Sequence, residues 1–119
     1  MKFTSNACFK SINPSNEQII DKFEFVTHDE AIMAVERSQN AFLDWKTKNF
    51  TTKTALLHRA SELLTSRKEE YSRLMSEEMG KPLIQAVAEV EKCAVVCEYY
   101  AKNGERFLSD ETIETDATR

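Results

Sequence analysis

Cys93 and Cys97 stand one helical turn apart and are the residues whose type and spacing come nearest to a chemical site, since two thiolates on one helix face can ligate a metal ion. A zinc site needs four ligands, and only Cys8, His28 and His58 remain to complete it. The pair therefore reads as core packing, free cysteine being among the most buried residue types. His28 falls in the first turn of a helix and His58 on the flank of an apolar helix face, and neither has a serine or cysteine partner at a telling spacing. The carboxylates Glu69, Glu70, Glu77 and Glu78 read as a solvated helix face rather than an acid–base cluster, and Lys81 stands isolated at a helix end. Gly80 and Gly104 are the only glycines, which excludes a glycine-rich phosphate loop within the chain. We therefore expect no catalytic residue and no cofactor-binding residue here.

The elements that must carry these residues are arranged around Met79-Gly80-Lys81-Pro82. Gly80 is placed to end one helix in the left-handed conformation, and Pro82 suits the first turn of the next, where a missing N–H costs nothing. Lys81, preceding a proline, is driven out of the α region, so two helices meet at an abrupt corner. Beyond it Leu83, Val87, Val90, Ala94, Cys97 and Ala101 mark one face of an amphipathic helix spanning about 82–103 and ended by Asn103-Gly104. The opposite side carries polar stripes interrupted by Val95, Val96 and Tyr99, so this helix calls for neighbours all round. The sequence has the look of a piece of something larger.

Upstream, Cys8 to Ile12 and Ile19 to Val26 read as two short strands of a hairpin over about 7–26. Asn13-Pro14-Ser15-Asn16 supplies the turn, with Asn16 tolerating the left-handed region. Thr27-His28-Asp29-Glu30 is a capping box opening a helix over about 28–48, with Ala31, Val35, Ser38, Phe42 and Trp45 as its buried face. Thr51 or Thr52 caps the next helical stretch, about 52–79, whose face runs through Leu56, Leu57, Ala60, Leu63 and Leu64. The pattern falters at Ser66-Arg67-Lys68 and resumes at Tyr71, Leu74, Met75 and Met79, which leaves open one helix or two. Phe107 and Leu108 should pack back, and in the tail over 109–119 Thr112-Ile113-Glu114-Thr115 suits the start of a strand. The fold class is mostly α with an N-terminal β-hairpin, α+β as a fragment.

At 119 residues the chain is one domain at most, and 41% hydrophobic with 30% charged residues is the composition of a soluble globular protein. A net charge of −4 with both signs interspersed gives no electrostatic footprint for nucleic acid or for an anionic membrane, so neither is expected as a partner. The longest unbroken apolar run, Cys93 to Cys97, falls far short of a bilayer span, and Met1 to Asn6 lacks the apolar core of a signal peptide. Three cysteines without framework spacing agree with a reducing compartment, and the expected location is the cytoplasm.

Three stretches, in order along nearly the whole chain, resemble the N-terminal segment of the aldehyde dehydrogenase superfamily, most closely its succinate-semialdehyde dehydrogenase branch. They are Ser11-Ile12-Asn13-Pro14-Ser15-Asn16-Glu17, then Ala41-Phe42 through Trp45, then Glu78-Met79-Gly80-Lys81-Pro82 followed by Ala88-Glu89-Val90-Glu91-Lys92 and Tyr99-Tyr100-Ala101. The resemblance implies NAD- or NADP-dependent oxidation of an aldehyde to a carboxylic acid through a cysteine thiohemiacetal, with a glutamate base and an oxyanion-hole asparagine. It places all of these, and the cofactor contacts, beyond Arg119, so the chain alone is expected to be inactive. Cys93 and Cys97 do not match the family's nucleophile motif. Asn16 stands where the family's turn usually carries Gly. Glu89 is the one residue that matches a site position, near where some members set a carboxylate on a structural monovalent cation. The resemblance further implies that this segment is part of an α/β Rossmann-like cofactor-binding domain, with the remainder of the subunit or a homo-oligomer as its partner. The alternative from the residues alone is a small helical interaction module that binds through its long helix.

Overall fold

The computed structural model describes residues 8–116, so the expectations for residue 7 and for 117–119 lie outside it. Strand β1 (Cys8–Ile12) pairs antiparallel with β2 (Ile19–Glu24), bringing Phe9 opposite Phe23, and the register slips between Ser11 and Ile12. The loop between them is closed by its own side chains: the Ser15 N–H donates to Asn13 Oδ1 at 2.9 Å and the Gln18 N–H to Asn16 Oδ1 at 3.0 Å. The residue in the left-handed region is Glu17, with φ 60°, and not Asn16. Asn16 instead uses its side chain to hold the chain two residues on, which displaces the backbone reversal by one position.

Helix α1 (His28–Trp45) begins at the capping box: the Glu30 N–H donates to Thr27 Oγ1 at 3.2 Å and the Thr27 N–H donates to Glu30 Oε2 at 2.7 Å. That bond to the backbone holds the Glu30 carboxyl below the usual carboxylate range. The anticipated buried face of α1 is not buried, since no residue of the helix is, and Val35, Phe42 and Trp45 are all exposed. Helix α2 (Phe50–Ser66) is capped by Asn49, whose Oδ1 accepts from the Thr52 N–H at 2.9 Å, rather than by Thr51 or Thr52. The Asn cap stands two residues before Thr51 and satisfies one of the orphan donors of the first turn.

The stretch to Met79 divides at Arg67, whose φ of −113° and ψ of 22° leave helical geometry, giving α2 and a separate α3 (Lys68–Met79). Gly80 ends α3 with φ 68° and ψ 17°, its N–H donating to the Ser76 carbonyl at 3.0 Å. Pro82, with φ −54° and ψ 130°, is the residue before helix α4 (Leu83–Phe107), one position earlier than the first-turn place read for it. Helix α4 runs through Asn103-Gly104 to Phe107, because Gly104 keeps negative φ and the anticipated stop is not used. No strand forms over 109–116, so the strand start read at Thr112 to Thr115 is not found.

The core is a seam where α2 and α3 lie on α4, centred on Ala86, Val90, Ala94 and Ala101, with Ser61 and Ser72 buried against them. Of the faces read in the sequence for α2 and α3, Leu57, Ala60, Leu63, Leu64, Tyr71 and Met75 are half-buried, while Leu56, Leu74 and Met79 are exposed. Small residues at the contact let helix backbones approach closely, and Ser72 is accommodated by donating its hydroxyl to the Lys68 carbonyl at 2.6 Å. The radius of gyration is 20.9 Å, with extents of 65 × 43 × 26 Å, against roughly 13–14 Å for a closed domain of this length. The described residues form an open framework of helices and one hairpin around a narrow seam.

Candidate functional site

Three side-chain contacts set the geometry around the corner between α3 and α4. Ser11 Oγ on β1 donates to Glu78 Oε1 at 2.8 Å, which ties the hairpin to the end of α3 across 67 residues of sequence. Pro14 in the hairpin loop covers Gly80, its Cγ 3.0 Å from where a Cβ on Gly80 would stand. Lys81, read as isolated, donates its ammonium to the Glu89 carboxylate at the second turn of α4. Because Lys81 precedes the helix, the usual three- or four-residue pairing rule of helices does not reveal this contact.

Beyond that ion pair an open groove of about 770 Å³ follows one side of α4, from Lys81 and Glu89 past Lys92 to Cys93, Val96 and Cys97. Both cysteines are free, Cys93 exposed and Cys97 half-buried. The core-packing reading of Cys93 is therefore corrected: the buried stripe of α4 passes through Val90 and Ala94, and Cys93 stands to the side of it. Among the described residues no three His, Cys, Asp or Glu side chains gather where they could hold a metal ion.

The other candidates are dispersed. His28 is exposed in the first turn of α1. His58 on α2 meets Glu98 on α4, Nδ1 to Oε1 2.8 Å, a pairing across 40 residues that no local spacing reveals. An ionised carboxylate only accepts, so the imidazole carries its proton on Nδ1 toward Glu98. The His58 hydrogen bond, with Lys102 at 3.6 Å adding to it, holds the Glu98 carboxyl below the ordinary range. Glu70 is held by Arg67, Nη2 to Oε1 2.6 Å, and Glu78 by Ser11, so the acidic group on α3 does not converge into an acid–base pair. No arrangement of a nucleophile, a base and an oxyanion pocket occurs among the described residues.

A family model described as the aldehyde dehydrogenase family matches residues 2–119. A probable succinate-semialdehyde dehydrogenase [NADP(+)] of Synechocystis sp. is 36% identical over 92% of this chain, which covers 24% of that relative. A succinate-semialdehyde dehydrogenase [NADP(+)] of Deinococcus radiodurans is 33% identical over 88% of this chain and 22% of its own length. The crystal structure of succinic semialdehyde dehydrogenase from Streptococcus pyogenes in complex with NADP+ superposes with a TM-score of 0.85 at 27% identity, over 91% of this chain and 24% of that one. The chain thus spans about a quarter of the length of the relatives it matches.

Proposed function

We propose that this chain, which belongs to the aldehyde dehydrogenase family, supplies the N-terminal framework of an NADP-dependent dehydrogenase that oxidises succinate semialdehyde to the dicarboxylic acid. The observation that carries this reading is the 36% identity to the Synechocystis relative, which runs through the hairpin, the corner and α4. The geometry supports a structural share in that activity. The hairpin clamps the Gly80 corner, the corner sets the direction of α4, and α4 and α1 present exposed apolar residues to which further protein can dock.

The chain by itself is inactive in this proposal, because it covers only 24% of the length of the Synechocystis relative. Its partners are the remainder of a dehydrogenase subunit, or further copies of one, together with the aldehyde. The absence of a helix long and apolar enough to cross a membrane among the described residues, and three free cysteines, support a cytoplasmic setting. Glu89 as it stands is an ion-pair partner. A monovalent cation fits beside it only if the Lys81 ammonium leaves and further oxygens arrive, and among the described residues it belongs to no group of three or more His, Cys, Asp or Glu that could hold a metal ion.

The test is a chimaera in which these 119 residues replace the corresponding quarter of the Synechocystis relative. Reduction of NADP that depends on succinate semialdehyde is expected in the chimaera and absent from the chain alone. A soluble, folded chimaera that reduces NADP with other aldehydes and not this one overturns the substrate. Turnover by the isolated chain, lost on thiol alkylation, overturns the framework reading.

A further inference from the structure

We infer that Cys93 and Cys97 form a two-thiolate site for a soft monovalent metal ion of the copper(I) class. The side chains share the groove of about 770 Å³ along α4, both thiols are free, and Cys93 is open to solvent. One helical turn sets their Cβ atoms about 5–6 Å apart. Two metal–sulfur bonds of about 2.3 Å, the length found for thiolate on zinc, bring the sulfurs within about 4.6 Å of each other, a distance that rotation about the two Cα–Cβ bonds can supply.

The choice of metal follows from what surrounds the pair. Zinc needs four ligands and calcium six or more oxygens, and no third His, Cys, Asp or Glu of the described chain joins the two thiols. Copper(I) is satisfied by two soft sulfur donors. Binding releases both thiol protons and leaves a complex of one cation and two thiolates, with a net charge of −1. Lys92 lines the same groove and complements that charge. Glu89 lies nearby, but its carboxylate is engaged by Lys81 and adds no net repulsion.

The experiment is an anaerobic titration of the full chain with copper(I) against a chromogenic copper(I) chelator. A single ion per chain is expected, lost in Cys93→Ser and in Cys97→Ser and retained in Cys8→Ser, with circular dichroism confirming that each variant folds. Lys92→Glu should weaken binding by about tenfold or more. Phenylarsine oxide provides an independent check, since it releases water as it joins two thiols, and one adduct per chain is expected only when both Cys93 and Cys97 are present. Unchanged copper stoichiometry in either single variant overturns the site. So does one ion shared between two chains, or an arsenical adduct without copper binding.

Discussion

Pro14 seals Gly80: the proline Cγ stands 3.0 Å from the place a Cβ would occupy on a residue whose φ is 68°. Two independent conditions therefore favour glycine at this corner, a left-handed backbone and a neighbour that a Cβ would push aside by a few tenths of an ångström. Gly80→Ala should cost about 1 kcal/mol or more from the backbone alone. Pro14→Ala should recover part of the further loss and none of the backbone share, so a double-mutant cycle read by chemical denaturation separates the two. An unchanged midpoint in Gly80→Ala means that the corner is not built this way.

Ser76 on α3 has a buried hydroxyl without a hydrogen-bond partner among the described residues, while its carbonyl receives the Gly80 N–H. Removing only the hydroxyl should relieve an uncompensated desolvation, so Ser76→Ala is expected to stabilise by about 1 kcal/mol. Ser72→Ala removes a hydroxyl that is already satisfied and should not stabilise. Equal shifts in melting temperature for the two variants would contradict the difference between them.

The His58–Glu98 pair gives the seam between α2 and α4 an acid sensitivity. The Glu98 carboxyl is held below its ordinary value of 4.5, so the folded state releases this proton more readily than the unfolded one. Its contribution is complete above the unfolded value and is lost as pH falls through the depressed folded value. Glu30 and Glu70, lowered by Thr27 and Arg67, act in the same direction. Stability should therefore fall below pH 4.5, and Glu98→Gln should flatten the slope in that acid range. A slope identical to that of the parent chain would show that the pair does not form.

Val95, Val96 and Tyr99 on α4 are exposed, the first by 67%, and so are Val35 and Phe42 on α1. Apolar surface spread over two helices favours association of the isolated chain. Sedimentation should show a concentration-dependent oligomer. Val95→Lys with Val96→Glu should shift it toward monomer at little cost in stability, since neither side chain leaves a core. Loss of several kcal/mol in that double variant would place both residues inside a core.

Much of the framework was legible in residues 8–116, and the legible parts share a cause. The Thr27–Glu30 capping box and the Gly80 corner rest on contacts within a few residues, so the local sequence carries the whole signal. The face read on α4 is a periodicity that burial follows at Val90, Ala94 and Ala101, with Val87 and Cys97 half-buried, and departs from at Leu83, which is exposed. Family membership was legible for a different reason, an ordered set of short stretches along nearly the whole chain.

Tertiary structure decided the rest. On α2 and α3 the fully buried positions against α4 are taken by small residues, Ser61 and Ser72, with Leu57, Leu63, Leu64, Tyr71 and Met75 half-buried beside them and Leu56 and Leu74 outside. Apolar periodicity ranks side chains by hydrophobicity and is blind to the size limit of a close helix contact. Ser11 with Glu78, His58 with Glu98 and Lys81 with Glu89 are likewise products of the assembled geometry. Each is a single polar pair, two of them between distant elements and one across a non-helical corner. Its partners are neighbours only in the assembled arrangement of the hairpin, α2, α3 and α4, which local spacing does not encode.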